Sequence, residues 1–392
     1  MKIRLIGLRL ILLGAGLMLA AVVAELAVRL LLPESMWKIV DAAEDWQPDN
    51  RLGWVQKPNY ISVSRRAGGQ VVRFETSPDG LQPAKAQRQK QPGVMRIMLF
   101  GDSAIVGRSV PEDGRIHRQL QRDLVNAGCR AEGINAGVEG YSTDQALIRM
   151  ELLLPRYLPD IVIYCLCAND FSGNSFGVNT GLYKPRFVRE ENGTLREVPP
   201  APNVRLATLA KWPASWIHHS AIFGFLRPQW LVWRAQHGSW KDRNLLGLND
   251  PIYYDPAAIA ILDWRLLAAL VTRMKATAES HGARFLFYAM PDALEVWDPL
   301  IAKRKRALHL NDDQYDRFAL EHRLQAMAIE NKLEFVPMIR YFIERQDQGP
   351  FHLLPADRHC NAAGCQFTAE ILTRPVVSAL ENRPVVVNSG GN

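Results

Sequence analysis

Cysteine is scarce in this sequence, with five residues at positions 129, 165, 167, 360 and 365 of 392. The odd count leaves at least one thiol unpaired within a monomer. No two form a Cys-x-x-Cys pair, and a chain of this size does not depend on a disulfide framework. Zinc-ligand spacing, a basic helix and RNA-binding signatures are also missing, which excludes the common nucleic-acid readers. Charged residues make up 22% and hydrophobic residues 48%, ordinary values that exclude wholesale disorder. The formal net charge of +7 suits an anionic neighbour, such as a membrane surface or envelope polymer, without selecting one. The basic residues are scattered apart from Lys303, Arg304, Lys305 and Arg306, a run that reads as a solvated loop. Cys165 and Cys167 stand two apart in an apolar run, on one side of a strand, and read as buried free thiols.

What is present begins with an uninterrupted apolar run, LILLGAGLMLAAVVA, at residues 10–24, which continues to Leu32 past Glu25 and Arg29. At about 1.5 Å per helical residue, 10–32 spans a hydrocarbon core of roughly 30 Å. Lys2, Arg4 and Arg9 precede the run, whereas Glu34, Asp41, Glu44, Asp45 and Asp49 follow it. Basic flanks favour the cytoplasmic side, so the expectation is a single-pass anchor (1–33) in a bacterial inner membrane, its N-terminus cytoplasmic and the remainder extracytoplasmic. A signal peptide cleaved near Val22 and Ala24 and a soluble helix are the alternatives. Glu25 and Arg29 are spaced to pair on one helical face.

Residues 34–92, punctuated by Pro48, Pro58, Pro78, Pro83 and Pro92, read as a linker with short β segments at 60–64 and 70–75. From residue 93 to 385 apolar strand runs alternate with helical stretches. Strands are expected at 95–100, ending near 135, at 161–167, 284–290 and 334–338. Helices are expected at 115–127, 143–157, 256–281, 312–331 and 362–381. The alternation predicts an α/β domain with a parallel sheet covered on both faces and chemistry at the strands' carboxyl ends. Residues 170–255 interrupt it. They hold Trp212, Trp216, Trp230, Trp233 and Trp240, with Phe223 and Phe225 between, and read as a helical, lid-like insert. Residues 386–392 read as a flexible tail.

Four segments at these strand ends and before the last helix carry candidate chemistry. FGDS (100–103) places Ser103 where a strand gives way to a helix, near outward-pointing N–H groups, with Gly101 allowing the turn and Asp102 able to bond within the loop. The bland reading is a turn with Ser103 as a helix cap. In NAGVEGYST (135–143) Gly140 can offer its backbone N–H to an oxyanion, or be an ordinary loop glycine. In CAND (167–170) Asn169 can donate its side-chain amide to the same oxyanion, or sit in a common Asn-Asp turn. In DRHCNAAG (357–364) His359 can take and return a proton of Ser103 while Asp357 orients it, although a lone histidine at a helix start is often structural.

Taken together, MRIMLFGDSAIVG, INAGVEGYSTDQ, PDIVIYCLCAND and DRHCNAAG resemble, in order and spacing, the blocks of the SGNH/GDSL hydrolase family, over about Arg96 to Leu380. The anchor followed by DNRLGWVQKPN resembles its membrane-anchored bacterial branch. The resemblance implies a flavodoxin-like three-layer α/β/α fold with strand order 2-1-3-4-5. It implies Ser103 as nucleophile, His359 with Asp357 completing a triad, and Ser103 N–H, Gly140 and Asn169 as oxyanion hole. Ala168 replaces a glycine found in many members. The spacing is Asp-x-His rather than Asp-x-x-His: position 356, where the longer spacing would put the acid, is alanine, so Asp357 is the only adjacent candidate. This spacing also occurs in relatives that acetylate envelope polysaccharides. Cys360 reads as a packing residue, because it lacks a zinc set. The expected function is a serine esterase or deacetylase acting on acylated envelope glycans or lipids, without metal or organic cofactor and without nucleic acid. The alternatives are an O-acyltransferase using the same residues and a catalytically silent glycan-binding protein.

Overall fold

The computed structural model describes residues 2–32, 45–65, 71–179, 182–202, 220–226, 251–354 and 358–381. The run MRIMLF forms strand β1 (Met95–Phe100), buried from its second residue to its last. It joins β2 (Ala131–Asn135), β3 (Ile161–Leu166), β4 (Arg284–Ala289) and β5 (Phe335–Val336) in one sheet of order β2-β1-β3-β4-β5. Every pairing in this sheet is parallel. Leu99 stands opposite Asn135 and Ile163, and Tyr288 opposite Cys165 and Val336.

Continuous apolar strands call for cover on both faces, and the helices supply it. One face buries Ile97, Leu99, Ile163, Cys165 and Leu286 in a cluster with Leu120 and Leu124 of helix α1 (Ile116–Asn126) and Leu372 and Val376 of helix α5 (Ala362–Glu381). Residues of opposite parity, Met98, Phe100, Val162, Tyr164 and Phe287, are equally buried. Helices α2 (Thr143–Tyr157) and α3 (Trp264–Ser280) pack on each other, and α3 also packs on β4. Helix α4 (Ala319–Glu330) leads into β5. Each such side chain taken from water contributes roughly 1.5–3 kcal/mol.

The chain divides into two compact units. The larger comprises Asp45–Val63, Val72–Val204 and Pro251–Asn392 and contains the sheet. The smaller comprises Met1–Glu44, Ser64–Val71 and Arg205–Asp250. Its helix Lys2–Leu31 contains, at Ile11–Leu31, a stretch of mean hydropathy 2.4, long and apolar enough to cross a membrane. Arg29 and Glu25 pair at 2.7 Å, as their spacing predicts. Glu25 also accepts from Ser220 Oγ at 2.9 Å and from the Ala221 and Ile222 amides at 2.7 and 3.1 Å, capping the helical residues 221–226.

Several expectations are refined. The β segments near 60–64 and 70–75 are strands Ile61–Arg65 and Val71–Glu75. A hairpin, Trp46–Asp49 with Gly53–Gln56, precedes them, and it buries Trp46 and Trp54. The helix expected over 256–281 is broken by Ile261–Asp263, where Asp263 caps α3 through Leu266 N at 2.9 Å. The basic run lies on the helix Asp298–Leu308, and Arg304 is buried rather than solvated. The insert is not helical at its start. After the short helix Asn169–Ser175 come the paired strands Val178–Asn179 and Leu182–Tyr183 and a hairpin of Arg186–Arg189 with Leu195–Val198. Asn192-Gly193 at the hairpin turn is a strong local signal for this geometry. The five insert tryptophans, residues 34–44 and the tail 386–392 lie outside the described residues.

Candidate active site

Strand β1 ends at Phe100, and the chain turns through Gly101 and Asp102 into one helical turn, Ser103–Val106. Gly101 passes so near β3 that a Cβ would lie 2.9 Å from the Cys165 carbonyl oxygen. A side chain there would force the two strand ends apart. Asp102 Oδ1 accepts from Ala104 N at 2.9 Å and from Cys167 Sγ at 3.2 Å, while Oδ2 accepts from Asn169 Nδ2 at 3.2 Å. One carboxylate therefore caps the turn and fastens it to the loop after β3. Cys167, unlike Cys165, is only partly buried, and it stands directly after the last residue of β3. Ser103 occupies the first helical position, where an amide has no partner within the helix. Its N–H donates to no other described residue.

The loop after β2 is held by Asn135, whose Nδ2 donates to Ile105 O at 2.6 Å and whose Oδ1 accepts from Gly137 N at 3.0 Å. Gly140 has φ 75°, the left-handed region that favours glycine. Its N–H also donates to no other described residue. Below it, Trp54 Nε1 donates to Glu139 O at 3.1 Å and Tyr141 Oη donates to Trp54 O at 2.6 Å. Burial pushes the Glu139 carboxyl up, opposed by Arg108, which lies 3.4 Å away.

Asn169 opens the helix Asn169–Ser175, exposed at the sheet's carboxyl edge; one amide hydrogen goes to Asp102 and the other is left to donate. The neighbouring Asp170 points inward and accepts from Tyr164 Oη at 2.6 Å and Cys167 N at 3.1 Å. Burial, reinforced by the Asp102 charge, pushes its carboxyl well up.

His359 arrives from the far end of the sequence, and its Nε2 lies 2.7 Å from Ser103 Oγ. Its loop is pinned on both sides. Leu353 N donates to His359 O at 2.9 Å and a bridge joins His352 to Cys360. Asn361 caps α5 by accepting from Gly364 N at 2.9 Å, and its Nδ2 donates to Pro350 O at 2.7 Å. A Cβ on Gly364 would come within 2.1 Å of Phe351 O, so only glycine permits this packing. Cys360 is buried, with its thiol 3.5 Å from Met290 Sδ, in a packing position. Asp357 lies outside the described residues.

The structure thus brings Ser103 to His359 and Asp102 to Asn169, and sets Ser103 and Gly140, half-buried, beside loops where Asn169 and His359 are exposed. Among the described residues no group of three or more His, Cys, Asp or Glu is placed to hold a metal ion. Sequence reasoning missed His352, whose buried ring lies 2.9 Å from Pro291 O, and Arg358, which pairs with Asp292 at 3.0 Å beside the His359 loop. It also missed the buried pair of Asp144 with Lys184. The only signal for Asp144 was an acid in the first turn of a helix, which ordinarily reads as a dipole partner.

A family model described as GDSL-like lipase/acylhydrolase matches residues 99–367, and the chain belongs to that family. It is accordingly a hydrolase of ester bonds. Solved structures similar to it include an acetyl xylan esterase (15% identity, covering 72% of this chain and 100% of that one, TM-score 0.38). A psychrotrophic esterase from Pseudoalteromonas sp. is similar at 13% identity, 73% and 99% coverage and TM-score 0.36. A Clostridium thermocellum family 3 carbohydrate esterase is similar at 14% identity, 73% and 98% coverage and TM-score 0.35. No curated protein sequence matched the chain.

Proposed function

We propose that the protein is a membrane-anchored serine esterase that removes ester-linked acyl groups from envelope glycans or lipids, with Ser103 as nucleophile and His359 as general base. The observation that carries the reading is the 2.7 Å contact of Ser103 Oγ with His359 Nε2, made by residues 256 positions apart. In the first step Ser103 Oγ bonds to the acyl carbon as His359 Nε2 takes its proton. The tetrahedral oxyanion receives hydrogen bonds from the amides of Ser103 and Gly140 and from Asn169 Nδ2. Collapse breaks the ester C–O bond, His359 returns the proton to the departing alcohol, and Ser103 keeps the acyl group. Water, deprotonated by His359, then releases the acid and regenerates the serine. Asp357 is the residue proposed to hold the His359 tautomer.

The apolar helix Ile11–Leu31 supports retention at the membrane, and basic residues before it with acidic residues after it favour an extracytoplasmic hydrolase domain. The net charge of +7 suits an anionic envelope. The test is fluorophosphonate labelling and p-nitrophenyl acetate turnover of the wild type and of Ser103→Ala. Labelling and hydrolysis that both depend on Ser103 are expected. Labelling with negligible hydrolysis would replace hydrolysis by acyl transfer to another acceptor, and no labelling of folded protein would overturn the serine mechanism.

A further inference from the structure

The loops carrying Gly140 and Asn169 rest on one another. A Cβ on Gly173, in the helix that Asn169 opens, would come within 1.8 Å of Ser142 Oγ, two residues beyond Gly140. Asn174 accepts from Asp144 N at 3.2 Å and donates to Thr143 Oγ1 at 3.0 Å, and Tyr164 Oη lies 2.9 Å from the same hydroxyl. Both loops are then gripped by the strap that follows, of which residues 176–179 and 182–184 are described. Asn179 Nδ2 donates to Gly140 O at 2.7 Å. Lys184, 0% exposed, pairs with the equally buried Asp144 and donates to Gly173 O at 3.0 Å and Phe176 O at 3.5 Å. Its ammonium thus joins the carboxyl end of the Asn169 helix to the amino end of α2, the end each charge favours.

We infer that the strap fixes the spacing of the Gly140 and Asn169 donors, with Lys184 and Asn179 as positioning residues for oxyanion stabilisation. The inference rests on the serine-hydrolase reading above. Geometry at such a site is demanding, since a misplacement of about 1 Å costs on the order of 10²-fold. An isolated buried charge is strongly destabilising, whereas removing both partners of a buried pair is often tolerated. Lys184→Met combined with Asp144→Asn therefore takes away the tie without stranding a charge, and Asn179→Ala takes away the second tie at a partly exposed position.

The experiment measures kcat and KM for p-nitrophenyl acetate, fluorophosphonate labelling rate and thermal unfolding for the full chain and both variants. The expected result is cooperative unfolding in each, kcat and labelling rate about 10-fold or more below wild type, and KM unchanged. If the double variant fails to fold, Asn179→Ala decides. Folded variants with wild-type kcat, or a loss confined to KM, would overturn the inference while leaving the labelled wild type as a serine hydrolase. A wild type that neither labels nor turns over would overturn that reading and the inference together.

Discussion

Asp102 and Asn169 meet at 3.2 Å across the ends of neighbouring strands, Nδ2 donating to Oδ2. The bond consumes one amide hydrogen of Asn169 and orients the other. Asn169→Ala removes an exposed side chain, so the fold should be unaffected while kcat falls about 10²–10³-fold. Wild-type turnover in that variant would exclude Asn169 as an oxyanion donor. Asp102→Ala should lose both properties, with about 1 kcal/mol of stability gone with the cap and reduced kcat from an unoriented Asn169. Denaturant unfolding and steady-state kinetics on the two variants separate these contributions.

Gly364→Ala tests the support of His359. The added methyl would meet Phe351 O, so the last helix must shift relative to the His359 loop. The expected destabilisation is about 1–3 kcal/mol, the range for overpacking, with slower labelling of Ser103 because Nε2 no longer meets Oγ. Unchanged melting together with unchanged labelling would show that the loop accommodates the methyl without moving His359.

The sheet was legible because strands buried on both faces leave continuous apolar runs, as in Met95–Phe100 and Ile161–Leu166. The candidate site was legible because short polar motifs fall where those runs stop. What supports the site was not. Trp54 lies 86 residues before Gly140 in a stretch whose prolines read as linker, yet its indole reaches Glu139 O. Lys184 looks like any surface lysine until the strap folds it onto Asp144. Both act through contacts far apart in sequence, which no local pattern encodes. The hairpin at Asn192-Gly193 is a different case, since its turn residues were visible and the insert's length drew the reading toward helices.

Cys360 adjoins His359, so its chemistry has to be separated from its packing. The thiol is buried against Met290 within the main core cluster. Cys360→Ala should lower stability by about 1 kcal/mol through the cavity left behind. Turnover per folded molecule should stay within a few-fold of wild type. A loss comparable to that of Ser103→Ala would bring the thiol into the reaction.

His117 gives the fold an acid-sensitive element away from the site. Both ring nitrogens are buried without hydrogen-bond partners among the described residues. Burial, assisted by Arg115 and Arg118, holds its pKa well below the ordinary 6.5. As pH falls through about 6.5 the unfolded chain takes up a proton here and the folded chain does not. Stability from this residue is therefore complete above that pH and declines below it by about 1.4 kcal/mol per unit until the folded pKa is reached. Buried His352 acts in the same direction. Asp144 acts in the opposite one: burial, opposed by Lys184, pushes its carboxyl up to about 6, so folded protein holds that proton before unfolded protein does. A titration of the wild type alone mixes these signs, whereas its difference from His117→Leu isolates one residue. Denaturant unfolding of the pair between pH 7 and pH 5 should show the leucine variant gaining on the wild type by about 1.4 kcal/mol per unit below pH 6.5. A constant difference across that range would mean that His117 takes up its proton in the folded state as readily as in the unfolded one.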